Sequence, residues 1–330
     1  MAQVASVLNE QLCFFPLGVD VRKLREERDA FLTFSRSAAT QRTYARDFKI
    51  FSNWCSQELG QDPLPCSTET LELFISNQLT KGFKVSTVSR RMASILFTHK
   101  KHKLESPKTA SCREILKSAR IQRREKQNGK KALEVHQLVQ ISKVDIGKPN
   151  TSRRDQALLI FGFASGLRRS EIARLDLDDV KVTDKGLVVS LNWSKTDQAG
   201  EGRVFGIFAG RNEATDPVRT MRAWLKARGR KPGPLFTGMA RGSGDVVTLN
   251  RLSDLGVNRI VHRALKRIGV DPKPYGAHSL RAGLVTAAAE NGASESQIMR
   301  ASGHKSPKVM RKYIRPAVVF AKSNPLAGVL

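Results

Sequence analysis

The sequence predicts a mainly α-helical protein with one small β-hairpin or sheet, divided between an all-helical N-terminal domain and an α+β C-terminal domain. Three observations carry this. The chain has 330 residues, and at roughly 100 to 200 residues per domain it has room for two cores. Apolar side chains recur at three- and four-residue spacing through most of it. Only around Leu187–Phe208 does the pattern change to strand-like stretches flanking a turn-rich segment.

About 20 residues precede the first helical region. Tyr44, Phe48, Phe51 and Cys55, with Ile50 and Trp54 beside them, mark an amphipathic helix, and Leu71 to Leu79 marks another. Val85, Val88, Met92, Ile95, Leu96 and His99 then share one helical face while Arg90, Arg91 and Lys100 fall elsewhere, giving a helix with a basic outer side. The next helix is expected to start near Ser111, where Ser111-Cys112-Arg113-Glu114 fits the S-x-x-E capping box, and to run into Arg120, Arg123 and Arg124. Polar, charged Lys126 to Lys131, broken by Gly129, reads as a linker. The expected divisions are an extension over 1–20, a helical domain over 21–124, a basic linker over 125–131, a second domain over 132–316 and a tail over 317–330. In the second domain Ala132 to Val144 and Asp155 to Ala164 read as helices, with Gly166 a left-handed cap. Leu187 to Trp193 and Val204 to Phe208 read as strands around the turn-rich Ser194 to Gly202, and Leu249 to Arg267 as a further helix. The tail keeps Val318, Val319, Phe320, Leu326, Val329 and Leu330.

Composition narrows the function. With 40% apolar and 26% charged residues the chain resembles an ordinary globular protein, which argues against wholesale disorder. Its charge is not ordinary: 57 basic against 30 acidic side chains give a net +27, so a polyanion is the first partner to consider, either nucleic acid or an anionic membrane surface. Residues 81–131 alone hold 16 basic and 3 acidic side chains, whereas 1–80 are slightly acidic. Solvated faces interleave both signs, so this one-signed stretch reads as a phosphate-tracking surface. Its candidate DNA-binding residues are Lys84, Arg90, Arg91, Arg120, Arg123, Arg124, Lys130 and Lys131. The helices over Val85 to Lys100 and Leu249 to Arg267 are candidates for groove entry, the latter through Arg259, Arg263 and Lys266. Cys13, Cys55, Cys66 and Cys112 form no C-x-x-C pair and read as structural thiols in a reducing compartment. The start has no basic region leading an apolar one, and no run approaches the roughly 18 apolar residues of a spanning helix. The expectation is a soluble, cytoplasmic protein without a membrane partner.

Three segments concentrate reactive side chains. In Ala164-Ser165-Gly166-Leu167-Arg168-Arg169-Ser170-Glu171 one helix stops at glycine and another starts, leaving arginines at the junction. In His278-Ser279-Leu280-Arg281 the histidine and arginine stand three apart, on one side of a helical turn. In the third, Ser302-Gly303-His304-Lys305 is followed by Val309-Met310-Arg311-Lys312-Tyr313-Ile314-Arg315.

In this order, R-x-x-E, then a lysine in a hairpin, then H-x-x-R, H and Y over about 145 residues, the sequence resembles the tyrosine recombinase (phage integrase) family. The ending around Tyr313 is particularly like that of the Cre-type, two-domain members. The resemblance runs from the linker to about residue 316, more loosely through the helical N-terminal part. It implies a helical core-binding domain joined to an α+β tyrosine-recombinase catalytic domain. The implied activity is site-specific DNA recombination through a 3′-phosphotyrosine and a Holliday junction, without metal, cofactor or ATP. The implied partners are double-stranded DNA with an inverted-repeat site and a homo-tetramer on two duplexes, with the tail docking on a neighbouring subunit. A bacterial, phage or plasmid origin is implied too.

The chemistry explains why these residue types are wanted. Phosphodiester cleavage without a metal needs a nucleophile, cationic donors for the charge on the non-bridging oxygens, and an acid for the departing 5′ oxygen. By resemblance, Tyr313 attacks phosphorus, Arg168 and Arg281 clamp the phosphate with bidentate forks, Lys195 protonates the leaving oxygen, and His278 and His304 donate to the phosphate or manage the tyrosine proton. Glu171 orients the cluster. Each assignment has a competitor. Arg169 flanks the same turn as Arg168, Tyr44 and Tyr275 are the other tyrosines, and solvated charge is the competing reading of Lys195. His99, His102, His136 and His262 have no matching context, and Asp176, Asp178 and Asp179 lack metal-ligand spacing. A type IB topoisomerase and a non-catalytic DNA-binding regulator stand as alternative functions.

Overall fold

The computed structural model describes residues 20–34, 37–124, 129–144, 147–192, 202–240, 242, 245–304 and 306–317, and the chain divides into two compact units, Met1–Gln127 and Asn128–Leu330. The first is built from α1 (Val21–Phe34), α2 (Ala38–Trp54), α3 (Thr68–Thr80), α4 (Val85–Lys101) and α5 (Ala110–Arg123), with a π-helical turn at Cys55–Leu59. Ser37 and Ser67 cap α2 and α3 by accepting from the backbone N–H groups of Thr40 and Thr70. The apolar faces read from the sequence converge on a core of Phe51, Leu71, Phe74, Ile75, Val88 and Ile95, each contributing about 1.5–3 kcal/mol by burial. Cys55, Cys66 and Cys112 are free and buried there. Burial pushes the Cys55 thiol up to about 11 and the Cys66 thiol up to about 12, so neither ionises at neutral pH. His99 is fully buried yet satisfied: Nδ1 donates to the Ile95 carbonyl (2.9 Å) and Nε2 accepts from the Cys66 N–H (3.0 Å).

One local expectation fails here. Helix α5 starts at Ala110, after Thr109, and the Ser111–Glu114 capping box does not form. The reason is a competing acceptor: Glu72 of α3 takes hydrogen bonds from the hydroxyls of both Thr109 (3.0 Å) and Ser111.

The second unit contains α6 (Val135–Lys143), α7 (Pro149–Ser165), α8 (Arg169–Arg174), β1 (Val180–Thr183), β2 (Gly186–Leu191), β3 (Arg203–Phe208) and α9 (Pro217–Arg228). It continues with β4 (Thr237–Met239), β5 (Val247–Arg251), α10 (Asp254–Arg267), α11 (His278–Glu290), α12 (Glu295–Ser302) and α13 (Pro307–Ala317). Helix α7 packs against α9 and α11. It buries Leu158, Leu159 and Phe161 in a core shared with Trp224, Phe236, Val257 and Val261. A smaller cluster of Val285, Ala289, Ile298 and Met310, with Tyr313 and Ile314 against it, holds α13 onto α11 and α12.

The expected hairpin is two strands of a three-stranded antiparallel sheet, with Val189 of β2 paired to Val180 on one side and Phe205 on the other. Strand β1 has only four residues, too few to show a period. The expected helix over Leu249 to Arg267 is also shorter. Leu249 to Arg251 belong to β5, paired with β4, and α10 starts at Asp254 because Ser253 caps it by accepting from the Gly256 N–H (3.0 Å). Ala132 and Leu133 precede rather than begin α6: the Lys131 and Leu133 N–H groups donate to the carbonyls of Pro274 (2.9 Å) and Ser279 (3.0 Å). Among the described residues no helix is long and apolar enough to cross a membrane.

Candidate active site

Helix α7 ends where Gly166 adopts a left-handed conformation (φ 59°). A Cβ there would lie 2.6 Å from a Leu284 methyl, so only glycine turns the chain this sharply against α11. Arg168 follows at the mouth of α8. Glu171, 2% exposed, accepts from the Arg168 backbone N–H and from its Nη1, both at 2.7 Å, and thereby fixes the guanidinium. Arg169 points to a different partner, Asp254, at 3.3 Å.

Arg281 lies in the first turn of α11 and is 2% exposed. Its Nη1 donates to the carbonyls of Gly166 (2.7 Å) and Ser302 (2.5 Å), joining the turn that carries Arg168 to the end of α12. Its Nε donates to His304 Nε2 (3.3 Å). Its Nη2 is buried without a hydrogen-bond partner among the described residues, an unmet donor on a buried cation. Burial, aided by the nearby positive Arg168, lowers Arg281 to about 10, still fully charged at neutral pH.

The two histidines are held neutral for the same reasons. Burial and then the charges of Arg281 and Arg168 lower His278 below the ordinary 6.5, and burial and the same arginines bring His304 to about 4. The hydrogen bonds assign the His304 tautomer. Ser302 Oγ donates to the Ile298 carbonyl (2.6 Å), so it accepts from His304 Nδ1–H (2.7 Å), leaving Nε2 bare to accept from Arg281.

Tyr313, on α13, completes the cluster. Its hydroxyl is 2.6 Å from His278 Nε2, and its ring lies edge-on to that of His278 (centroids 5.6 Å) and tilted against that of His304 (6.4 Å). Burial raises the phenol above its ordinary 10, opposed by Arg281, so nucleophilic attack needs a base, and neutral His278 is in place to be one.

The structure thus brings together Arg168, Glu171, His278, Arg281, His304 and Tyr313; Lys195 lies outside the described residues. The competing tyrosines are elsewhere. Tyr44 packs edge-on against Phe97 in the first unit, and Tyr275 is buried with its hydroxyl accepting from Gln137. His262 bonds the Tyr275 carbonyl and His136 pairs with Glu134. Asp176 pairs with Arg251, and no group of three or more possible metal ligands occurs among the described residues. One residue the sequence reading missed is Arg203 on β3, which donates to two carbonyls at the end of α12. No local motif marks it.

The basic candidates divide by environment. Lys84, Arg120, Arg124, Lys131, Arg259 and Lys266 are exposed. Arg123 is exposed but donates to the Phe83 (2.8 Å) and Leu79 carbonyls, and Lys130 to the Lys273 carbonyl (2.7 Å). Three already have partners within the protein. Arg91 is 7% exposed, bonded to Gln78 and stacked on Phe83. Arg90 pairs with buried Asp47 (2.6 Å), and Arg263 with buried Asp155 (2.8 Å), which also takes Arg154. Buried carboxylates require such partners, and these are invisible to a count of charges.

A tyrosine beside a neutral histidine, a buried arginine and a half-buried one defines a class of enzyme that transfers phosphoryl groups through a covalent tyrosine. The phage integrase family model matches residues 131–318, and the chain belongs to that family. An integrase/recombinase XerD homologue of Selenomonas ruminantium is 31% identical over 88% of this chain and 85% of its own length. Among solved structures, the Tn1549 transposon integrase in complex with transposon right end DNA superposes at a TM-score of 0.61 with 14% identity, over 93% of this chain and 95% of that one. A lambda integrase tetramer bound to a Holliday junction gives 0.61 with 15% identity, over 89% and 77%. The protein is a site-specific DNA recombinase of the tyrosine type.

The histidine shifts fix a pH dependence. With His278 as the base that takes the Tyr313 proton, the reading proposed below, attack would need it unprotonated, and its lowered pKa keeps it so at neutral pH. The second-order rate of covalent adduct formation, which reports the free protein, is therefore expected to be flat around pH 7 and to fall only as the pH drops below 6.5, the ordinary histidine value. His278→Gln should remove that acid limb. A limb centred above pH 7 in the parent protein contradicts the assignment.

Proposed function

We propose that this recombinase cleaves one strand at a time with Tyr313 as nucleophile and acts as a homo-tetramer on two duplexes through a Holliday junction. The observation that carries the reading is the 2.6 Å contact between the Tyr313 hydroxyl and His278 Nε2, beside a buried guanidinium with an unmet donor. In the step, the phenolic oxygen bonds phosphorus, its proton passes to His278, the bond from phosphorus to the 5′ oxygen breaks, and Lys195 protonates that oxygen. Arg168 and Arg281 hold the charge that builds on the two non-bridging oxygens. His304 and Glu171 orient the two arginines. The 3′-phosphotyrosine conserves the bond energy, so a 5′-hydroxyl from the second duplex reverses the step without ATP. The tetramer assignment is supported by likeness to an integrase described as a tetramer on a Holliday junction.

We assign the exposed Lys84, Arg120, Arg124, Lys131, Arg259 and Lys266 to phosphate contacts. Each phosphate neutralised lowers log K by roughly 0.9 per tenfold rise in salt. The test is recombination between two copies of an inverted-repeat site selected from a random DNA pool. Strand exchange with four protomers on the junction is expected. Relaxation of one supercoiled duplex by a monomer, without exchange, would instead make the protein topoisomerase-like.

A further inference from the structure

Helix α12 ends at Ser302, two residues after Arg300, and its last carbonyls are all engaged. The Met299 carbonyl accepts from the N–H groups of Gly303 (2.7 Å) and His304 (3.2 Å), and the Ser302 carbonyl from Arg281. The Arg300 and Ala301 carbonyls are both taken by Nη2 of Arg203, the latter at 2.8 Å. A cation at the carbonyl end of a helix is favoured twice, by hydrogen bonding and by the helix dipole. Nothing in the local sequence pairs these groups, since 97 residues separate Arg203 from Arg300.

The rest of the Arg203 side chain is equally constrained. Its guanidinium carbon stands 4.5 Å from the centre of the Phe205 ring, its neighbour on the same face of β3. Its Nη1 covers the backbone of Gly303, where a Cβ would come within 2.3 Å. Gly303 also has a positive φ of 68°, so this glycine gives both the turn and the room for the guanidinium. Burial lowers Arg203 from its ordinary value while Glu171 opposes that shift, which puts it in the same electrostatic neighbourhood as the arginine cluster.

We infer that Arg203 is a positioning residue for His304: by clamping the end of α12 and lying over Gly303, it fixes the turn that aims the imidazole at Arg281. It does so from the first residue of β3, just after the segment in sequence that carries Lys195. The inference rests on the recombinase mechanism proposed above.

The experiment measures single-turnover adduct formation on a nicked synthetic duplex carrying the selected inverted-repeat site, at saturating protein, with binding and thermal unfolding measured in parallel. Arg203→Ala is expected to slow adduct formation by about 100-fold, the scale of a misplacement near 1 Å, with binding unchanged. Arg203→Lys should recover part of the rate, because an ammonium reaches the carbonyls but does not cover Gly303. In a His304→Ala background, Arg203→Ala should cost less than about 3-fold, because the group it positions is gone. The same 100-fold loss in both backgrounds, or no loss in the parent, overturns the inference. If Arg203→Ala unfolds, the Arg203→Lys pair in the two backgrounds decides by the same criterion. If the parent protein itself forms no adduct, it is the recombinase mechanism that fails, and not the Arg203 assignment alone.

Discussion

Tyr313→Phe is expected to abolish the covalent protein–DNA adduct, a loss of roughly four orders of magnitude or more in cleavage, as for removal of other covalent nucleophiles. The substitution removes one oxygen. Its contact with His278 is worth about 1 kcal/mol, and the phenylalanine ring keeps its place against the Val285, Ile298 and Met310 cluster. The fold and DNA binding should therefore survive, and a gel-shift assay beside a denaturing gel separates the two effects. Binding at the parent level with no denaturant-resistant adduct is the predicted pair of results. An adduct persisting in the variant would move the nucleophile to another residue.

Arg281→Lys is expected to cut cleavage by about 100- to 1,000-fold, the usual loss for a donor to transition-state charge, although the formal charge is kept. Arg281 uses three of its nitrogens: Nη1 on the Gly166 and Ser302 carbonyls, Nε on His304, and Nη2 left for the substrate. One ammonium cannot serve all of these directions. It would either hold the two carbonyls and leave the phosphate, or the reverse. Because Arg281 also joins the Arg168 turn to the end of α12, its thermal midpoint should fall as well. Single-turnover kinetics on a nicked site measures the loss, and near-parent turnover would discredit the clamp.

How much of this was legible before the structure depends on how local each requirement is. Arg168, Glu171, His278, Arg281, His304 and Tyr313 sit in three short segments rich in reactive side chains, and the family resemblance of those segments singles them out without coordinates. Helix α4 was also readable, since its amphipathic period extends over 17 residues, and part of α7 was readable from its apolar run Ala157–Ala164. What was not legible involves partners far away in sequence. Arg91 and Arg263 look like free surface charge until Gln78 and Asp155 are seen to engage them. The Ser111 capping box loses to Glu72, 39 residues away. Strand β5 was absorbed into the following helix because Val247–Arg251 is short and borders a strong N-cap at Ser253. Arg203 follows the same logic, since its role exists only once β3 and α12 meet.

The proposed mechanism depends most on the identity of the atom that bonds phosphorus. Mass spectrometry of the adduct trapped on a nicked site, digested and sequenced, tests this directly. The account predicts a nucleotide on the peptide containing Tyr313, attached through the phenolic oxygen. A nucleotide on Tyr44, on Tyr275 or on any serine would contradict it.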